Sequence, residues 1–344
     1  MSVRAVADVT SPGLAQERSR PKYYPFYVLG LLTAVQALAV FDIQILALLV
    51  TPVRAHLQIT DTQMGLLLAA GSAGVSSILA LPLARYADAH SRRGMIGAGV
   101  VLWSLGTAGC GLATTFEQLL AMRLCISIGA AALLPAVFSL LSDYFPPERR
   151  GIVFSVLQTG MYVAIGGSFL VGGLLTGWAS QQELWDLPIL GTRPWWQAVF
   201  LGVGVVGALC ALLLWTVEEP LRKDGPTQAV SLRKVWAFVR ANAPALACHN
   251  LGFAILMLST STGVWIPTFF VRQHGWAAAD FGKVYGPVAL VVLPAAVVVG
   301  GWWASRLTAR GRKDAFLRVA WITAFAWLPF GMAYPFMSDP RWAL

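Results

Sequence analysis

Nine apolar runs, each about as long as a bilayer-crossing helix requires, occupy most of this chain and dictate its fold class. They fall roughly at 24–50, 62–84, 95–115, 118–143, 152–177, 197–217, 243–271, 281–307 and 315–337. Inside a bilayer every backbone N–H and C=O must find its partner within the protein, and runs of this length do so as α-helices. An all-α polytopic membrane protein follows. The charged fraction agrees: 12% here, against about 25% in soluble domains, with a mean hydropathy of +0.66. So little charge excludes both a water-solvated surface and disorder. A net charge of +9 would suit nucleic acid, but the basic residues sit in short runs between apolar segments. No nucleic-acid partner is expected.

Cofactor chemistry has no visible seat. Cys110, Cys125, Cys210 and Cys248 lie inside apolar runs without CxxC spacing, the four histidines are scattered, and no phosphate-binding loop is present. No metal, no cofactor and no enzymatic activity are expected. The first 22 residues are polar, and the run that follows is too long for a signal-peptide core.

Orientation comes from lysine and arginine. With the N-terminus inside, nineteen basic residues fall on the cytoplasmic side and four (Arg54, Arg193, Arg272, Lys283) outside. That bias places the N-terminus in the cytoplasm and the chain in the inner or plasma membrane. The chain then divides into an N-tail (1–23), a six-helix bundle (24–217), a cytoplasmic linker with a short amphipathic helix (218–242), and the start of a second bundle (243–344).

An internal repeat supports that division. Ala84–Arg93 and Gly301–Arg312 each run from a small residue at a helix end into a basic cluster, 217 residues apart. The same offset carries the first run onto the seventh and the third onto the ninth. Two copies of a six-helix unit are indicated, the second represented by three helices. We expect three further spans beyond Leu344, the present chain being a truncated form.

Six plus six helices, a central linker and the small-x-x-Ala-Asp-x-x-x-Arg-Arg loop, matched by Ala84, Asp88, Arg92 and Arg93, resemble the major facilitator superfamily of secondary transporters. Residues 41–67, 123–151 and the glycine-rich helix that follows are similar to its spinster-like branch. The run Ser139-Leu-Leu-Ser-Asp-Tyr-Phe-Pro-Pro-Glu-Arg-Arg-Gly151 is the most specific of these. Departures are Ala84 in place of glycine, Ala89 in place of a basic residue, Ile43 after Asp42, Ala130 in place of a glutamate, and no helix 5 proline motif. The resemblance implies a fold of two bundles, about nine of whose helices are present. It also implies alternating access for a small organic solute, either an organic anion or an amphipathic lipid-like molecule. A proton or another ion supplies the energy if transport is coupled, and no bound cofactor is needed. A non-transporting, truncated scaffold or receptor-like protein is the alternative.

Charges inside spans mark function or structure. Asp42 and Arg123 both fall in the outer half, on helices 1 and 4, at similar depth, so a pair or a shared substrate site is expected, and both are assigned to substrate or ion coupling. The alternatives are a structural acceptor role for Asp42 and snorkelling for Arg123. Ser259 and Thr262, in a hydroxyl run of helix 7, are assigned to the cavity, the alternative being bonds to their own helix. Asp88, Arg92, Arg93, Asp143, Glu148, Arg149 and Arg150 form the expected cytoplasmic gate, the alternative being a solvated loop.

Overall fold

The computed structural model describes residues 21–69, 75–188, 190–220 and 232–343. Helices dominate them: α1 (Tyr24–Leu48), α2 (Val50–Leu57), α3 (Asp61–Ala69), α4 (Val75–Ala89), α5 (Arg92–Cys110), α6 (Phe116–Tyr144) and α7 (Pro147–Ala179). A short hairpin, β1 (Leu184–Leu187) and β2 (Gly191–Pro194), leads into α8 (Trp195–Leu213). Beyond the linker come α9 (Leu232–Ala241), α10 (Ala243–Ser261), α11 (Ile266–His274), α12 (Ala278–Ala309) and α13 (Ala315–Ala333).

Seven helical stretches are long and apolar enough to cross a membrane, and they coincide with seven of the nine expected runs. The other two are helical but weaker, for physical reasons. The run 62–84 becomes α3 and α4, with 70–74 outside the described residues, and α4 contains Pro82. The run 95–115 becomes α5, which starts on Arg92 and Arg93 and carries five glycines. Two expected spans are also interrupted. The first breaks at Leu49, three residues before Pro52, whose missing N–H leaves the Leu48 carbonyl without its helical bond. The seventh passes through a tight turn at Thr262–Trp265 ahead of Pro267. The hairpin was not foreseen, since neither four-residue strand shows alternating hydrophobicity.

In the first bundle α5 packs on α6 and α8, α4 on α6, and α7 on α1. The α5–α6 contact is backbone-close: a Cβ at Gly99 would stand 2.8 Å from the Gly129 carbonyl oxygen. Trp103, Leu32, Ile45, Leu140 and Phe200 are buried in this bundle. One end of the molecule carries the hairpin, where His56 meets Trp196 edge-on at 5.7 Å. The other carries the linker. There Tyr24 donates to the Thr216 carbonyl (2.8 Å) and accepts from the Glu218 amide (2.9 Å).

The second bundle touches the first chiefly through α12 on α7. Its glycine contacts lie in the hairpin-end half of both helices. Gly166 and Gly173 of α7 face Leu290 and Gly282 of α12, and a Cβ at Gly173 would lie 2.9 Å from the Gly282 Cα. Phe169 seats edge-on against Phe281 (5.8 Å) and Tyr285 (5.2 Å). Towards the linker end a Cβ at Gly151 of α7, or at Gly300 or Gly301 of α12, would meet nothing within 4 Å. Gly151, Ile152, Ser155 and Val156 of α7 are exposed and line an opening of about 510 Å³ on the face of that helix alone. Gly282→Leu is therefore expected to destabilise the chain by about 1–3 kcal/mol through overpacking, measured as a drop in thermal midpoint. Gly202→Leu, where nothing lies within 4 Å, should leave it unchanged.

Candidate functional site

Three charge clusters stand out, one inside the first bundle and one at each end. The interior cluster joins α1, α5 and α6. Asp42 of α1 and Arg123 of α6 are both fully buried, and Arg123 Nη1 donates to Asp42 Oδ2 at 3.3 Å. The Thr107 hydroxyl of α5 lies 2.9 Å from Asp42 Oδ1, and Trp103 borders the same carboxylate. The pair expected from equal depth is thus formed. Snorkelling of Arg123 is overturned, because its guanidinium turns inward to a carboxylate. Satisfaction is one-sided. Asp42 has a partner on each oxygen, whereas Arg123 Nε and Nη2, and Ser127 Oγ one turn along α6, have none among the described residues. A guanidinium presents five donors, so most of this one is stored unused in an apolar surround.

At the linker end the sequence anticipated Arg92, Arg93, Arg149 and Arg150 together with Asp88, Asp143 and Glu148, and the structure adds Glu219. Arg92, buried at the start of α5, pairs with Asp143 of α6 and, through Nε, with Glu219 at 2.8 Å. Its Nη1 and Nη2 also donate to the Ser139 and Pro220 carbonyls (3.2 and 3.1 Å). Glu219 accepts from the Arg93 amide (2.7 Å) and the Ser91 hydroxyl (3.0 Å) as well. Burial works against the charge of Glu219. The Arg93 amide, Arg92 and Ser91 nevertheless hold its carboxyl below the usual glutamate range. A depressed folded-state pKa stabilises above the unfolded value and is lost as pH falls through the folded one. This tether is therefore intact at neutral pH and released only in acid. Arg93 reaches the Trp215 carbonyl (2.9 Å) and Arg150 the Ser142 carbonyl (3.0 Å). Glu148 and Arg149 are exposed, and Glu148 borders the opening instead of joining the network. The side chains of Asp88, Ser259 and Thr262 lie outside the described residues.

At the hairpin end a carboxylate bridges the bundles. Thr60 and Gln63 form a reciprocal cap on α3 (2.9 and 3.2 Å), which sets Asp61 in its first turn. Asp61 receives both terminal nitrogens of Arg272, from the end of α11, at 2.7 and 3.0 Å, and Arg54 Nε at 3.1 Å. The hydrogen bonds from Arg272 dominate and lower the Asp61 pKa. By the same sign argument the bridge persists through neutral pH and opens only as pH falls through that lowered value. Sequence reasoning placed Arg54 and Arg272 on one side but missed Asp61 and Glu219. The cap signature at Thr60-x-x-Gln63 and the Glu218-Glu219 pair closing the sixth run were the available signals.

Paired bundles of long apolar helices, packed closely at the hairpin end, define a polytopic helical membrane protein of the two-bundle type. The chain belongs to the major facilitator superfamily, whose profile matches residues 32–344. Two crystal structures of a bacterial homologue of the human lysosomal transporter spinster, both inward-facing, one unoccupied and one occupied, superpose with TM-scores of 0.73 and 0.75. Each is 26% identical, with 94% of this chain covered and 71% and 70% of the other. An efflux pump of this type from Mycolicibacterium smegmatis is 25% identical over 285 residues, and a chloroplast ascorbate transporter from Arabidopsis thaliana 26% over 254. These alignments cover 82% and 66% of this chain. It spans only 62% and 42% of those relatives' own lengths. The relatives are transporters, as the resemblance implied.

Proposed function

We propose that the chain serves a secondary active transporter that moves a small organic solute by alternating access. The observation that carries this reading is the asymmetric contact between bundles. Glycine-lined helices and the Asp61–Arg272 bridge close the hairpin end, while the linker-end glycines of α7 and α12, Gly151, Gly300 and Gly301, make no close contact. A site between such bundles is reached from one side at a time. The linker end is cytoplasmic in this reading, supported by the nineteen-to-four split of basic residues, and the membrane is the inner or plasma membrane.

Asp42 and Arg123 are the coupling pair. A proton on Asp42 removes the charge that holds Arg123. The freed guanidinium, with its idle Nε and Nη2 and the neighbouring Ser127 hydroxyl, then suits an anionic group by charge-assisted hydrogen bonds. That chemistry favours an organic anion, with the amphipathic lipid-like solute as the rival substrate class. Ser259 and Thr262 are assigned to the cavity by the 217-residue offset. Asp88, Arg92, Arg93, Asp143, Glu148, Arg149 and Arg150 are assigned to the cytoplasmic gate.

Proteoliposomes offered a panel of organic anions and lysophospholipids, with and without an imposed pH gradient, test the reading. Saturable uptake of one class, driven by the gradient and lost in Asp42→Asn, is expected. No uptake of either class, together with unaltered thiol labelling of Val156→Cys in the opening, would leave the scaffold or receptor-like alternative. The hairpin-end bridge has its own test. Asp61→Asn should shift the chain away from the state closed at that end and raise labelling of a cysteine at Gly65, which Trp265 covers at 3.5 Å. Raising salt should act in the same direction, because these side chains are partly exposed and screened.

A further inference from the structure

The linker helix α9, Leu232-Arg-Lys-Val-Trp-Ala-Phe-Val-Arg-Ala241, has no role in the clusters above. At 3.6 residues per turn, Trp236, Val239, Val235 and Phe238 share an arc of about 160°, and Arg240, Arg233 and Lys234 occupy the opposite one. The apolar arc is bare: Val235 is 40%, Phe238 63% and Trp236 67% exposed. The helix also runs almost directly into a span. Only Asn242 separates it from α10, and the backbone bonds Asn242 N–H to Phe238 O and Leu246 N–H to Asn242 O, each 3.0 Å, carry the helical path across. Position fixes what such a face meets. A helix joined to the end of a transmembrane segment lies at the boundary between hydrocarbon and headgroups. There an indole and valines enter the acyl region and guanidinium groups meet phosphate.

We propose that α9 docks on an anionic bilayer leaflet, with Trp236, Val239, Val235 and Phe238 in the acyl–headgroup boundary and Arg233, Lys234 and Arg240 on lipid phosphates. Charge complementarity selects this occupant. Between Pro220 and Ala241 the sequence has five basic residues and the single acid Asp224. A juxtamembrane segment of that balance is attracted to anionic lipid and has little affinity for a neutral surface. The next acids back along the chain, Glu218 and Glu219, belong to the start of the linker, and Glu219 is already engaged by Arg92 and Arg93. This inference needs the chain to cross a membrane but does not need it to transport.

The test uses the chain reconstituted in phosphatidylcholine vesicles and in vesicles with about a quarter phosphatidylglycerol. Val239→Cys, in a background with the four native cysteines replaced by Ala, carries an environment-sensitive fluorophore. In anionic vesicles we expect blue-shifted emission and several-fold stronger quenching by shallow spin-labelled lipids than in neutral ones. The variant R233Q/K234Q/R240Q should remove that difference. Amide hydrogen exchange over 232–241 in the unaltered chain gives the same comparison without cysteine replacement, with several-fold slower exchange expected in anionic vesicles. Three results would overturn the proposal. The label could stay open to aqueous iodide in both vesicles. It could be shielded from iodide yet insensitive to spin-labelled lipid, which would mean that protein covers the face. Or it could be quenched equally in both, which would mean that lipid charge plays no part.

Discussion

Asp42→Asn should lower the stability of the detergent-solubilised chain by about 3–5 kcal/mol, because it strands Arg123 as a buried charge with no counterpart. Arg123→Met strands Asp42 in the same way, although the Thr107 hydroxyl still bonds one of its oxygens, so its loss should be the smaller of the two. The double variant Asp42→Leu/Arg123→Met removes both charges together. Apolar pairs of similar volume are often tolerated in place of a buried ion pair, so it should be milder than either single change. A double-mutant cycle on thermal midpoints then gives a coupling energy between the two sites of up to about 3 kcal/mol. Function separates from stability in the same variants. If the pair couples transport, the double variant is stable yet unresponsive to a pH gradient. Small, additive stability changes together with undiminished uptake would show that the pair neither supports the bundle nor couples it.

How this pair became visible explains much of what the sequence could and could not show. Asp42 and Arg123 were legible because charge within an apolar run is expensive and therefore conspicuous. Equal depth on two helices was enough to suggest a meeting. Thr107 could not be found that way, since a threonine inside a span is commonplace and its usual partner is a carbonyl of its own helix. It does approach one, that of Trp103, at 3.1 Å while also serving Asp42. Spans were legible for the same reason as the charges: hydropathy is a property of the chain alone. Breaks at Leu49 and at Thr262–Trp265 were not, although Pro52 and Pro267 mark them, because proline inside a span is compatible with either a kink or a straight, packed helix.

The end clusters show a different limit. Both were half-read: at the linker end Asp143 was grouped with Arg92 but Glu219 was not, and at the hairpin end only Arg54 and Arg272 were placed, because the positive-inside bias reports only Lys and Arg. Asp61 and Glu219, which convert those residues into connections, sit at helix ends where an acid is unremarkable. Only tertiary structure brings Arg272 to Asp61 across 211 positions, and Arg92 to Glu219 across 127. Adjacent glycines of α7 serve different contacts: Gly173 packs against α12, whereas Gly172 faces Ile45 and Leu48 of α1 within its own bundle.

Arg92→Ala should be the most damaging single change at the linker end, with a loss of about 3 kcal/mol or more in stability. Arg92 is buried and holds three elements at once, α5 on which it sits, Asp143 on α6 and Glu219 of the linker. Removing it strands the Asp143 carboxylate and frees the Pro220 carbonyl. Glu219 is left with only the Arg93 amide and the Ser91 hydroxyl. Its neighbour provides the control. Arg93 is an equal charge one position away, but its side chain reaches only the exposed Trp215 carbonyl. Arg93→Ala should therefore cost about 1 kcal/mol or less, while its amide keeps Glu219 in place. The solvated-loop reading predicts something else for the pair, two similar changes within about 0.5 kcal/mol of zero, since surface substitutions are usually that small. Arg92→Met/Asp143→Leu discriminates further. If the stranded carboxylate is the source of the damage, this double variant recovers a large part of the loss. If tethering of the linker through Glu219 matters more, stability stays low and trypsin cuts faster after Arg222 and Lys223. Either result retains a structural network at the linker end, and only equal, negligible effects of Arg92→Ala and Arg93→Ala would dissolve it into a solvated loop.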